Sequence, residues 1–209
     1  GSVLLMIDNT PSVMLLPTTL FSFAEEINDY YFPPLIGTYL RIVRLVVLFL
    51  TVFITPLWYL LVKNGDVLPG ELEFLLIEDE YFVPLIVQLL LVEFIVDILK
   101  LASLNTPDAL SNSFSMLGAL ILGDFAVQAR WLVPEVLVYM AFVAVAGYAQ
   151  HSYEMGYACK LVRMALLLLI FFWDWWGFAA GVVGTVLLIV STKPVVGPGY
   201  LYPLIPVNG

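Results

Sequence analysis

From Leu45 to Val62 the chain runs without a single charged side chain. A backbone that leaves water for hydrocarbon must satisfy every N–H and C=O internally. A helix of about 20 apolar residues, with a range of about 17–25, does this while crossing the layer. The 45–62 run meets that length, and Pro56 is expected to kink it near its far end. Composition agrees: 62% of residues are hydrophobic and 12% charged, with a mean hydropathy of +0.99. Soluble domains run at about 45–50% apolar and about 25% charged. The expected fold is an all-α integral membrane protein, a polytopic helical bundle of about five spans, some of them short, broken or re-entrant.

The other candidate spans are Pro84–Leu101, Ser115–Ala129, Leu132–Ala149 and Leu161–Val190. The last is too long for one simple crossing and is interrupted at Asp174-Trp175-Trp176-Gly177. It either crosses once or turns and returns as two half-helices, and the sequence leaves both open. Basic residues stay on the cytoplasmic side, so Arg41, Arg44, Lys160 and Arg163 are expected as cytoplasmic-side anchors. The connection from Asn64 to Tyr81 carries Asp66, Glu71, Glu73, Glu78, Asp79 and Glu80 and no basic residue, which suits the opposite side.

Around this membrane domain, residues 45–190, lie three flanking regions. Residues 1–16 contain Val3–Ile7, which reads as a strand closed by the turn Asp8-Asn9-Thr10-Pro11. That strand has no evident partner, so it is expected to be the end of a truncated N-terminal soluble domain. Residues 17–44, with Glu25, Glu26, Asp29, Tyr30, Tyr31 and the Pro33-Pro34 break, read as an interfacial amphipathic helix and linker. Residues 191–209 form a proline-rich tail.

Ionisable groups inside spans cost about 2.5–3.5 kcal/mol each on insertion scales, so they face protein or water. In LLLVEFIVDILKL, Glu93 and Asp97 share one helix face, with Lys100 on the same side. One reading pairs Asp97 with Lys100 and leaves Glu93 to a neighbouring helix. The other places both acids on a water-lined path or a polar seam between subunits. Glu93 has no cation nearby in sequence, which favours the second. Asp124, with Gln128 four residues on, is a further pore or seam candidate beside Gly118 and Gly123. Asp174, among three tryptophans, reads as an interfacial turn.

Other function classes find little support. A net charge of −9 and a pI near 4.3 argue against a nucleic-acid partner. His151 with Glu154 is the nearest approach to a metal or acid–base pair, and one histidine without further ligands is weak. No metal, cofactor or enzymatic activity is expected. The lone Cys159 excludes an internal disulfide and reads as a small apolar residue.

Two long stretches, LLPTTLFSFAEEINDYYFPPLIGTYLRIVR and LGALILGDFAVQARWLVPEVLVYMAFVAVAGYAQHSYEMGYACKLVR, resemble the A-subunit family of bacterial spore germinant receptors of GerA type. Within it, IGTYLR and VPEVLVY look most like the stage V sporulation branch, and the closing VGPGYLYPLIP resembles the family's post-membrane segment. The turn Ser152-Tyr153-Glu154, followed by a basic Leu-Val-Arg, is the family-motif turn. The resemblance implies a preceding soluble domain, a homo-oligomer in the inner membrane of the spore, and other small or permease-like membrane subunits as partners. It also implies a cation-conducting channel; the alternative is a non-conducting scaffold or signalling subunit. The family usually has proline where His151 stands and a small or apolar residue where Asp174 stands.

Overall fold

The computed structural model describes residues 3–6, 8, 13–16, 31–77, 80–105, 118, 123–148 and 152–192. The expected strand is present as β1 (Val3–Met6), but it is not alone. It pairs antiparallel with β2 (Val13–Leu16), Val3 opposite Leu16 and Met6 opposite Val13. The partner escaped notice because VMLL is short and runs directly into Pro17. Residues 17–30 and 193–209 lie outside the described residues, as do most of 106–122.

Four longer helices make most of the remaining described residues. Helix α1 (Pro34–Lys63) starts with a proline in its first turn, where the missing N–H would have no partner anyway. It therefore begins well before the first apolar run, and residues 34–44 continue straight into it. It ends at Asn64, whose side-chain amide donates to the Leu60 carbonyl at 3.0 Å. Helix α2 is Leu85–Asn105 and helix α3 is Pro134–Tyr148. Helix α4 (Tyr153–Ser191) is capped by Ser152, whose hydroxyl accepts from Met155 N–H at 3.3 Å and donates to Glu154 at 2.7 Å. The turn at Ser152-Tyr153-Glu154 is thus a helix N-cap, a position that favours serine. Among the described residues, α1 and the 154–191 helix are long and apolar enough to cross a membrane.

Helix α4 is not one rod. Asp174 has φ 48° and ψ −125°, so the helix breaks there into arms 153–173 and 175–191. In a straight helix Gly181 and Leu166 would be about 22 Å apart, 15 residues at about 1.5 Å each. Instead a Cβ added at Gly181 would strike the Leu166 side chain, and one at Gly177 would overlap the Leu169 carbonyl. The two arms therefore fold back on each other, in the manner of two half-helices. The spacing Gly177-x-x-x-Gly181 is what permits it: two bare Cα atoms on one face let the backbones approach.

The turn is held by the far end of α1. The break at Asp174 deprives the last carbonyls of the first arm of their helical donors. Lys63 supplies one, reaching Ile170 O at 3.3 Å and Phe171 O at 2.9 Å, and pairs with Asp174 at 2.7 Å. A cation at a helix C-terminus also meets the negative end of the helix dipole. Asp174 is 45% exposed, so the ion pair itself is worth at most about 1 kcal/mol. The positive φ costs a non-glycine residue about 1–3 kcal/mol. Asp174→Gly relieves that strain and Asp174→Ala does not, while both lose Lys63. We expect the glycine variant to be the more stable by about 1–2 kcal/mol; thermal unfolding of the two side by side checks the order.

The main core lies where α1, α2, α3 and the first arm of α4 meet. It contains Trp58, Leu60, Leu89, Val136, Met140, Leu167 and Ile170. A smaller cluster of Val52, Cys159 and Leu166 packs α1 against the start of α4. Cys159 is buried there as a small apolar residue. At the Lys63 end, the buried Gln88 ties α2 to α3. Its amide donates to Val83 O at 2.8 Å and accepts from Val133 N–H at 2.9 Å. Trp58 donates to Leu75 O at 3.0 Å, drawing the 65–75 connection over that end of the bundle. The 64–84 connection therefore lies at one end, and Arg41, Arg44 and Ser152 lie towards the other.

Candidate functional site: a buried charge cluster

Glu93 and Asp97 point from α2 into the bundle, and the cations that meet them come from α4. Arg163 Nε donates to Glu93 Oε1 at 2.6 Å, and Arg163 Nη2 contacts the same oxygen. Lys160 Nζ lies 3.3 Å from Glu93 Oε2, donates to the Glu93 carbonyl at 3.2 Å, and pairs with Asp97 Oδ2. Lys160 and Arg163 are three apart, and Glu93 and Asp97 four apart, so each pair occupies one helix face and the two faces meet. Two carboxylates and two cations sum to zero. Neutrality is what makes such a group tolerable in an apolar bundle, because desolvating an unpaired ion costs several kcal/mol.

Glu93 thus bonds to a neighbouring helix, as the first of the two readings had it, while Asp97 meets Lys160. The partners of Glu93 stand 67 and 70 positions along the chain, beyond the reach of any local spacing rule. The cluster also changes the part assigned to two of the anchors. Arg163 is 3% exposed, inside the bundle and not on a surface flank. Lys160 is only slightly more open, its side chain 14% exposed. Arg41 and Arg44 are half-buried on α1, each engaged in a contact.

Helix α1 joins the cluster through its backbone. Arg163 Nη1 donates to the Thr51 carbonyl at 2.7 Å. That carbonyl lies in the turn preceding Pro56, which has no N–H for Val52 O and crowds the helix there. A neighbouring hydroxyl records the consequence. Thr38, Thr51 and Thr185 each donate to the carbonyl four residues back. Thr55, whose equivalent acceptor is Thr51 O, is fully buried and its hydroxyl has no partner.

The cluster is graded in exposure. The side chains of Glu93 and Arg163 are each 4% exposed, whereas Asp97 is 30% exposed. Asp97 Oδ1 is buried without a hydrogen-bond partner. The cluster thus has a sealed half, Glu93–Arg163, and a looser half, Asp97–Lys160.

Asp124 and Gln128 are not part of it. Both are exposed, on a short helical segment, 123–128, near the Lys63 end. Gln128 lines an open cleft of about 400 Å³ with Glu80, Arg130, Val133 and Pro134. Arg130, at φ 57°, ends that segment and lies 3.5 Å from Glu80. Glu154 is exposed, Tyr153 opens α4, and His151 lies outside the described residues. Sequence reasoning passed over Gln88, Lys63 and Thr51. Gln88 alone left a signal, as an amide inside an apolar run.

The sequence profile described as the Bacillus/Clostridium GerA spore germination protein matches residues 1–209. Stage V sporulation protein AF of Bacillus subtilis (strain 168) is 32% identical over 209 residues, covering 100% of this chain and 42% of that protein. Spore germination protein KA of the same organism is 26% identical, covering 99% of this chain and 38% of that protein. Spore germination protein A1, also from that organism, is 26% identical over 166 residues, with 78% and 34% covered. The chain thus spans less than half the length of each of these relatives. No solved structure matches it. A match along the whole chain, together with a relative 32% identical over all of it, establishes that the chain belongs to the Bacillus/Clostridium GerA family of spore germination proteins.

Proposed function

We propose that this segment is the membrane domain of an oligomeric germination protein that forms, or contributes to, a cation-conducting channel in the inner membrane of the spore. It acts without enzymatic chemistry, alongside other small or permease-like membrane subunits. Asp97 carries the reading. It stands about 18 Å along α2 from Leu85, 12 residues at about 1.5 Å each, with 30% of its side chain open at the bundle surface. Against lipid such a carboxylate costs about 2.5–3.5 kcal/mol. Against a water-filled seam between subunits it costs little and attracts cations. Glu93, neutralised within the protomer, drops out as a pore-lining group; Asp97, with Asp124 and Gln128 on the exposed surface, takes its place.

The reversal potential of the full-length protein in liposomes under a salt gradient tests this. Asp97→Asn combined with Asp124→Asn should leave the oligomer intact and reduce the preference for cations over anions several-fold. Unchanged selectivity with intact assembly would remove these residues from the ion path. The scaffold reading is favoured by one observation, that the cluster sums to zero charge, and it requires no flux in any variant.

The fold also orders the two ends of the bundle. Cysteines placed in the 64–77 connection should label from one side of sealed membranes, and cysteines at 41 and 154 from the other. Labelling of positions 71 and 154 from the same side would contradict the arrangement.

A further inference from the structure

We propose that the charge cluster is a latch between α2 and the α1–α4 pair, in which Glu93–Arg163 stays closed as the pivot and Asp97–Lys160 opens. The inference rests on the membrane-channel reading for its consequence, but not for its mechanism.

Three observations carry it. The first is the contrast in packing. Helix α1 lies along α4 over an extended apolar interface, whereas α2 meets α4 more sparsely, with the four charged side chains at the meeting. A close-packed interface moves as a unit, while a sparse one held by ion pairs has discrete made and broken states. The second is the inequality of the two halves. Arg163 is held by three donor contacts, two to Glu93 and one to Thr51 O, all buried. Asp97 is held on one oxygen only, the other being unpartnered, and it is the most exposed member. Separating Lys160 from Asp97 leaves Lys160 its two contacts with Glu93, so no cation is stranded. The third is the state of α1 at the same level. Pro56 opens the helical ladder there, and the Thr55 hydroxyl is idle because Thr51 O is engaged by Arg163. Arg163 thereby ties α1 to Glu93 at the pivot, so the part of the joint free to open is Asp97–Lys160.

In the closed state the cluster is neutral and the α2–α4 joint is shut. In the open state Asp97 is released from Lys160 into water, and its full negative charge faces any path beside α2. Lys160 is therefore a positioning residue for Asp97.

The test uses the full-length protein in lipid nanodiscs for hydrogen exchange and in liposomes for potassium flux. Asp97→Asn is nearly isosteric and removes one partner of the latch; Lys160→Gln removes the other. Both should speed amide exchange across 94–101 at least threefold while exchange in the 166–170 core stays unchanged, and both should raise flux in the absence of any stimulus. Asp97→Glu, which keeps the negative charge, should hold exchange close to the wild-type rate. If Lys160→Gln does not fold, Asp97→Asn and Asp97→Glu decide the matter. Unaltered exchange across 94–101 in a folded Asp97→Asn oligomer would overturn the latch. Faster exchange with no flux in any form of the protein would leave the latch standing and overturn the channel reading instead.

Discussion

Arg163→Met should cost the folded protein about 3–5 kcal/mol, the largest loss of any single charge removal in the chain. The substitution keeps most of the side-chain volume, so packing against Cys159 and Leu166 changes little. What it removes is the neutralisation of Glu93, whose side chain is 4% exposed and whose other cation, Lys160, is shared with Asp97. It also strips the Thr51 carbonyl of the Arg163 donor in the turn before Pro56. Asp97→Asn should cost far less, because that side chain is 30% exposed and water can take over part of its solvation. Arg163→Lys should fall between them. A point ammonium can meet Glu93 but cannot also hold the Thr51 carbonyl with a planar fork. Thermal unfolding of the purified full-length variants in one detergent gives the order, Arg163→Met below Arg163→Lys below Asp97→Asn.

Gly177→Ala should be nearly as damaging, although it adds one methyl group. The new Cβ would overlap the backbone carbonyl of Leu169, and backbone at the heart of a helix has nowhere to go. We expect a loss of about 3 kcal/mol and partial opening of the two arms of α4. Gly181→Ala is the control. Its Cβ would meet side-chain methyls of Leu166 and Leu169 and no backbone, and these can shift, so the loss should be about 1 kcal/mol. Gly184→Ala meets nothing and should be neutral or slightly stabilising. A disulfide engineered between positions 166 and 181 should form readily in the parent protein and slowly in Gly177→Ala.

The helices were legible because long uncharged apolar runs favour a backbone that satisfies its own hydrogen bonds. The runs beginning at Leu45, Pro84 and Leu132 fall within or nearly coincide with α1, α2 and α3. The break at Asp174 was legible too, but not its consequence. A helix interruption is written in local residues, whereas the reversal depends on Gly177 and Gly181 meeting Leu169 and Leu166 across the fold. Side-chain pairing failed for the same reason. Within reach of the i,i+3 and i,i+4 rules, Asp97 finds Lys100 and Glu93 finds nothing. The cations that complete the cluster lie two helices later, and in sequence alone basic residues near the end of an apolar run read as marking a membrane face. Lys63 shows the same limit: its role depends on carbonyls 107 and 108 positions away.

The claim on which the account rests is that Glu93 is neutralised inside its own protomer by Arg163. A double-mutant cycle on the full-length protein measures it, using Glu93→Gln, Arg163→Met and the two together, with unfolding free energy as the readout. The account predicts that each single change is strongly destabilising, that the double change costs much less than their sum, and that the coupling energy is about 2–3 kcal/mol. A coupling within about 0.5 kcal/mol of zero, as for residues that do not touch, would mean that Glu93 faces away from Arg163, and the internal cluster would be wrong.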